Sequence, residues 1–153
     1  MIGNPERRSF IARIAALAAL PFAIAKPARA QSNSVDAMMR AVTGGAPLQS
    51  GRVTLDLPRL AENGNSVSLK VSVDSPMTAA DHVKSIYLFA EKNPRPNIAN
   101  FYLGPRAGRA QLATRIRLAG TQRVLAIAAL SDGSFWSARA EVAVTDSACY
   151  DGS

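Results

Sequence analysis

The stretch Val67-Ser68-Leu69-Lys70-Val71-Ser72-Val73 decides the fold of this chain. Its apolar residues alternate with Ser66, Ser68, Lys70, Ser72 and Asp74. A period of two sends successive side chains to opposite faces, so this segment is a strand with one face buried and one wet. Upstream, Asn63-Gly64 is a turn signal, and before it Val53, Leu55 and Leu57 alternate with Thr54 and Asp56. Two consecutive runs of period two around a turn set the pattern for the rest of the chain.

Downstream the pattern repeats. Val83 to Glu91 is apolar on both sides, with Ile86 and Leu88 set against Tyr87 and Phe89. It is either a central strand or a strand whose outer face meets another protein. Asn93-Pro94-Arg95-Pro96 ends it, because proline cannot donate to a ladder. Ile98 to Leu103 is a further strand, closed by Gly104-Pro105. Leu112, Thr114, Ile116 and Leu118 alternate with Ala113, Arg115 and Arg117. Val124 to Leu130 is apolar throughout and reads as central, and Asp132-Gly133 is a two-residue hairpin signal. Trp136, Ala138, Ala140, Val142 and Val144 make the last strand. Seven strands with regular turn signals predict an all-β, immunoglobulin-like antiparallel sandwich. Before them, Val35, Met38, Met39 and Val42 have helical spacing, and Gly44-Gly45 stops that short helix.

The chain has 153 residues, with 18 Lys+Arg against 11 Asp+Glu. Residues 1–30 hold five of the bases and one acid; beyond them 13 bases face 10 acids, a net charge of only +3. The basic balance is thus partly a property of the N-terminus and does not indicate a nucleic-acid partner. About 120 residues suffice for one domain with a real core but not for a dinucleotide-binding pair of halves or an eight-unit βα barrel. A single Cys and a single His exclude an internal disulfide framework and a Cys/His zinc cluster.

The N-terminus reads as an export signal over residues 1–30. Arg7-Arg8-Ser9-Phe10-Ile11 precedes an apolar run to Ile24, and Ala28-Arg29-Ala30 is a small-x-small cleavage site before Gln31. Arg13 and Pro21 interrupt the run, which is shorter than the ~20 apolar residues that span a bilayer, so no membrane anchor is expected. The paired arginines resemble a twin-arginine signal, with an ordinary secretory signal carrying a chance Arg pair as the alternative. Either route leads to a periplasmic location. The twin-arginine pathway carries folded cargo, and the chain shows no site for a bulky cofactor. Such a signal here suggests a partner folded onto the chain before export.

A catalytic constellation is hard to assemble. His82 with Met77 is one His and one Met, which is not a copper ligand set, and His82 reads as a surface residue at a loop–strand junction. Gly44-Gly45 follows a helix, the wrong order for a phosphate loop. Arg115 and Arg117 share a wet strand face, which is either a solvated surface or an anion-guiding patch. Cys149 is the one thiol, five residues beyond Val144 in a small and polar tail, residues 146–153, expected to be mobile. Extended, that tether reaches ~17 Å. An unperturbed thiol of pKa near 8.5 is only ~3% thiolate at pH 7, and Asp146 and Asp151 oppose its ionisation. Cys149 is therefore a poor catalyst and a passive handle. It is a covalent carrier site, an intermolecular disulfide partner, or incidental.

Several longer motifs sharpen the choice. Leu55-Asp56-Leu57-Pro58, Ala61-Glu62-Asn63-Gly64-Asn65, Val71-Ser72-Val73-Asp74-Ser75-Pro76-Met77-Thr78, Phe89-Ala90-Glu91-Lys92-Asn93-Pro94, Thr114-Arg115-Ile116-Arg117-Leu118-Ala119 and Ser131-Asp132-Gly133-Ser134-Phe135-Trp136 together resemble the SoxY family of thiosulfate-oxidation carrier proteins. The resemblance runs from about Met38 to Thr145. It implies a sandwich over residues 31–145, a SoxZ-like partner, and covalent carriage of sulfur intermediates on Cys149. It also implies a set of visiting enzymes: a haem-containing sulfur transferase, a sulfate-releasing hydrolase and a sulfur dehydrogenase. The chain itself would then be no enzyme and would hold no cofactor or metal of its own.

The tail departs from that family. Where SoxY proteins end Gly-Gly-Cys-Gly-Gly, this chain has Ser147-Ala148-Cys149-Tyr150-Asp151, then Gly152-Ser153. Glycine supplies flexibility and a thin profile. Tyr150 is bulky, and Asp151 would repel an incoming sulfur oxyanion. Two readings therefore stand: a carrier subunit using Cys149, or a SoxY-like binding and assembly subunit whose carrier role is changed or lost.

Overall fold

The computed structural model describes residues 30–148, with side chains from Val35 onward. One helix, α1 (Ala30–Thr43), is followed by strands β1 (Leu48–Gln49), β2 (Val53–Asp56), β3 (Leu60–Asn63), β4 (Val67–Val73), β5 (Val83–Ala90), β6 (Asn97–Tyr102), β7 (Gln111–Ile116), β8 (Gln122–Leu130) and β9 (Phe135–Asp146). Each of the seven stretches expected from the sequence coincides with one of these strands to within two residues at either end. β1 and β3 are additional. They were missed because two- and four-residue segments carry too little periodicity to be seen.

Two sheets enclose the core. One runs β2-β4-β7, and the other runs β1-β9-β8-β5-β6 with β3 also paired to β9. The long ladders are antiparallel, but β1 and β3 both lie parallel to β9. The purely antiparallel expectation is thereby corrected to a mixed second sheet. The physical reason is the length of β9: its 12 residues outrun β8, and two short upstream segments satisfy its free edge.

β4 alternates buried and outward-facing along its whole length, as the opening stretch requires. Val67, Leu69, Val71 and Val73 from this sheet meet Ile86, Leu88, Val124, Ala126 and Ala128 from the other in one core. β8 and β5 are both internal strands of the larger sheet, which is why they are apolar on two faces. The outer face of β5 is packed within the chain. Val35, Met38, Met39 and Val42 of α1 cover it, packing with Tyr87, Phe89, Leu125 and Ile127 in a second cluster. The helix starts at Ala30, five residues before the first of these apolar positions. It ends at Thr43, where Gly44 (φ +62°) and Gly45 (φ +86°) take the left-handed conformation that closes a helix.

The β8–β9 turn is a three-residue loop, not the two-residue one expected. Leu130 N–H donates to Ser134 C=O (3.0 Å), Gly133 N–H to Leu130 C=O (3.2 Å), and Gly133 has φ +84°. This is a type I turn followed by a left-handed glycine, the usual three-residue solution. Asp132 caps it by accepting from Ser134 N–H (2.8 Å) and Ser134 Oγ–H (2.6 Å). These bonds, the side-chain one foremost, hold the Asp132 carboxyl below its ordinary pKa.

At the same end, the Asp74–His82 loop is tied down. Arg52 bonds Asp74 C=O (2.8 Å), pairs with Asp81 (3.2 Å) and lies 5.6 Å from the Trp136 ring centroid. Ser131 Oγ accepts from His82 N–H and donates to Ala80 C=O, both at 3.1 Å. Within this loop Met77 is held at φ +52°, a costly conformation for a non-glycine residue, with its side chain buried and its Sδ accepting from Val83 N–H.

Candidate functional site

β9 runs the length of the sandwich, roughly 36 Å at ~3.3 Å per residue. The Asp74–His82 loop and the β8–β9 turn therefore lie at one end, and the root of the C-terminal tail lies at the other. Of the family-like motifs, those around residues 61–65, 89–94 and 114–119 gather at the tail end.

The tail root is held by main-chain bonds. Asn63 sits opposite Asp146 in the β3–β9 ladder. Its Oδ1 accepts from Asn65 N–H (2.8 Å), turning the chain so that Gly64 faces the end of β9. Gly64 N–H donates to Asp146 C=O (2.7 Å), and Gly64 C=O accepts from Leu118 N–H (2.8 Å). Leu118 C=O in turn accepts from Ala148 N–H (3.0 Å). A Cβ on Gly64 would lie 2.5 Å from Leu118 O, 2.8 Å from Ala148 N and 3.0 Å from Asp146 O. Only glycine lets these three backbones converge.

The 117–121 loop that supplies Leu118 is itself fixed by a buried amide pair. Asn93 and Gln122 are each 3% exposed. Asn93 Nδ2 donates to Arg117 C=O (2.8 Å), and Asn93 Oδ1 accepts from Ala119 N–H (3.0 Å) and Gln122 Nε2 (2.8 Å). Gln122 Oε1 accepts from Lys92 N–H (2.8 Å), and Lys92 Nζ reaches Thr121 C=O (2.7 Å). Every polar group of both amides that is named here has its partner, as buried amides require. Around this network Lys92, Arg95 and Arg117 are exposed. Arg115 is exposed too and bonds Ser66 Oγ (3.0 Å).

The residues singled out in the sequence are thus placed unevenly. Ser147 is exposed, whereas Ala148 is buried and hydrogen-bonded. The tail expected from residue 146 overlaps the end of β9 at Asp146 and the anchored Ser147-Ala148. Cys149, Tyr150, Asp151 and Gly152 lie outside the described residues, as do residues 1–29 of the export segment. His82 Nδ1 lies 3.0 Å from Thr78 O, and Met77 Sδ is occupied by Val83 N–H. Among the described residues no group of three or more His, Cys, Asp or Glu could hold a metal. An open cleft of about 520 Å3 lies between the β2–β3 connection and β4, lined by Asp56, Glu62, Asn63, Ser66, Ser68 and Lys70 among others. It brings no nucleophile–base pair together. Asn93 and Gln122 were not foreseen as site residues. In sequence Asn93 is a turn former before a proline, and nothing local distinguishes a buried amide from an exposed one.

The described residues form a two-sheet β sandwich with one covering helix and a C-terminal root held by main-chain hydrogen bonds. The model of the sulfur oxidation protein SoxY matches residues 39–149, so the chain belongs to the SoxY family. Among solved structures, the sulfur carrier protein SoxY from Chlorobium limicola f thiosulfatophilum is 27% identical, with a TM-score of 0.63. That similarity covers 74% of this chain and 98% of the other. The E23A superoxide reductase (neelaredoxin) from Ignicoccus hospitalis is 20% identical over 71% of this chain and 86% of its own, with a TM-score of 0.55. Superoxide reductase from Nanoarchaeum equitans is 12% identical over 63% and 100%, with a TM-score of 0.53. These two share the fold alone. No curated protein sequence matches the chain.

Proposed function

We propose that this chain is a periplasmic sulfur carrier subunit that holds sulfur intermediates of thiosulfate oxidation covalently on Cys149, in a heterodimer with a SoxZ-like protein. The observation that carries the reading is the SoxY match itself, which extends through the one thiol of the chain at its last matched residue. The Chlorobium protein of the same fold is described as a sulfur carrier, and its identity to this chain exceeds that of the superoxide reductases. Loading joins the terminal sulfur of thiosulfate to the Cys149 sulfur. One S–S bond forms, the thiol proton leaves, and two electrons pass to a haem-containing partner. A hydrolase then adds water across the sulfonate S–S bond, releasing sulfate and leaving a persulfide for a sulfur dehydrogenase. The chain supplies the handle and no catalytic group. The strand order supports an immunoglobulin-like sandwich, with β5, β8 and β9 in the places of strands C, F and G, and β2, β4 and β7 in those of A, B and E. Export by the twin-arginine route belongs to the same proposal.

A second reading is favoured by one specific feature. Tyr150 and Asp151 stand where the family has glycines, which suits a binding and assembly subunit that keeps the pairing surface without carriage. Intact mass spectrometry of the protein from thiosulfate-grown cells separates the two. A thiosulfonate or persulfide mass increment that vanishes in Cys149→Ser supports carriage. An unmodified thiol on protein that still copurifies with its partner refutes it and leaves the assembly role.

A further inference from the structure

One edge of the larger sheet is open. β6 ends the order β1-β9-β8-β5-β6, and among the described residues no strand pairs with its far side. Leu103 N–H donates to Lys84 C=O (2.9 Å), so Lys84 and Leu103 face each other as a hydrogen-bonded pair of the antiparallel ladder. Such pairs recur at every second position, so Ile86–Phe101 and Leu88–Ala99 are in the same phase. Asn100 and Tyr102 therefore turn their N–H and C=O groups away from β5, toward the open side. We propose that this edge receives an extended strand of the SoxZ-like partner, uncharged in its middle and acidic at its ends. The inference rests on the carrier reading for the identity of that partner, while the open edge is a matter of geometry.

Edges of natural sheets are blunted by charge, proline or cover. In the three-stranded sheet, β7 carries Arg115 and is followed by Arg117, while β2 ends at Asp56 just before Pro58. In the larger sheet, β1 and β3 cover the free side of β9. From Asn97 to Tyr102, β6 has neither a charge nor a proline. Ala99 and Phe101 pack against the core. On the opposite face Tyr102 is 76% exposed and lies across from Ser85, and Asn100 lies across from Tyr87. Outward main-chain groups beside an exposed aromatic ring are what an added strand requires: backbone bonds give affinity, and side-chain contacts give specificity.

Charge decides the occupant. Arg95 precedes the strand, Arg106 and Arg109 follow it, and Lys84 flanks it on β5; all four are exposed. The acids that bracket β5, Asp81 and Glu91, are already paired with Arg52 and Arg123. Both ends of the edge are therefore cationic. A second copy paired antiparallel about Asn100 would set Arg95 of each chain across from Pro105 of the other, next to Arg106. These like charges disfavour self-pairing at both ends of the joined strands. Acidic residues at the two ends of a foreign strand meet cations in either orientation.

The test uses the full chain with the SoxZ-like protein. Hydrogen exchange by NMR follows the Asn100 and Tyr102 amides, which should exchange freely in the isolated chain and at least about 10-fold more slowly in the heterodimer. Asn100→Pro and Tyr102→Pro each remove one outward N–H and no bond to β5, a position where an edge strand tolerates proline. Each should raise the heterodimer Kd at least about 5-fold, as expected for one main-chain bond. If these variants fail to fold, Arg95→Glu combined with Arg106→Glu carries the test. It should raise Kd at least about 5-fold at low salt and weaken the salt dependence of binding. Asn100 and Tyr102 amides that exchange as fast in the heterodimer as in the isolated chain overturn the edge, as does an unchanged Kd in the folded variants. Either result leaves the carrier reading standing. Protection that appears in the chain alone as its concentration rises also overturns the proposal, in favour of a second copy. Protected amides in a heterodimer whose Cys149 never gains a sulfur adduct uphold the edge and overturn the carrier reading.

Discussion

Replacing Asn93 by Ala should cost this small domain far more stability than its place in a turn suggests. The side chain makes three bonds, to Arg117 C=O, Ala119 N–H and Gln122 Nε2. Each is worth about 1 kcal/mol net, and each loss leaves a partner short of a bond near the core. A water entering the vacated space can recover part of this, because the site is polar and an amide leaves room for about one molecule. The expected loss is therefore about 2–4 kcal/mol, or a fall in Tm of roughly 10 °C for a domain of ~120 residues. Denaturant titration at constant m-value gives the free energy, and thermal melting gives the shift. Asn100→Ala is the control. Its Oδ1 also accepts an amide bond, from Asn97 Nδ2 at 3.0 Å, but on an exposed edge. It should change stability by less than about 0.5 kcal/mol. Gln122→Ala should cost about 2 kcal/mol, and the double variant should cost less than the sum, because Asn93 and Gln122 share one bond. A loss below about 1 kcal/mol for Asn93→Ala, or a loss equal to that of Asn100→Ala, would refute the role given to the buried amides.

Three further outcomes follow from the same reasoning. Arg52→Ala removes an ion pair with Asp81, a bond to Asp74 C=O and the contact with Trp136; it should cost about 1–2 kcal/mol and open the 74–82 loop to proteolysis first. Asp132 has its pKa lowered by the Ser134 hydroxyl and then the Ser134 amide, so its contribution is full above the unfolded value near 4 and is lost as pH falls through the lower folded value. Asp132→Asn should accordingly flatten that acid limb, by a small amount because the group is nearly fully solvated; an unchanged limb in urea titrations at pH 2–5 would contradict it. Removal of α1 uncovers Phe89, Leu125 and Ile127, so binding of an apolar dye and self-association by sedimentation should both rise; neither changing would mean the helix is not the cover of that face.

The alternation of Val67 to Val73 by itself committed that segment to a strand with one buried face, because a two-residue period can bury one face only as a strand. The helical spacing of Val35, Met38, Met39 and Val42 likewise marked the apolar face that docks. The lone thiol and the altered residues around it were also legible as they stand in the chain. What the sequence could not decide was where nonlocal groups meet. The apolar face of Tyr87 and Phe89, opposite that of Ile86 and Leu88, fitted a partner or a central strand equally, and only the internal place of β5 in its sheet and the packing of α1 on that face chose between them. Asn63-Gly64 read as a turn, and Asn93 as the end of a strand. Their convergence with Leu118 and Ala148 depends on three segments distant in sequence arriving at one end of the sandwich. Hydrogen bonds between such segments leave no period behind them, since a backbone carbonyl accepts the same bond whatever side chain it carries.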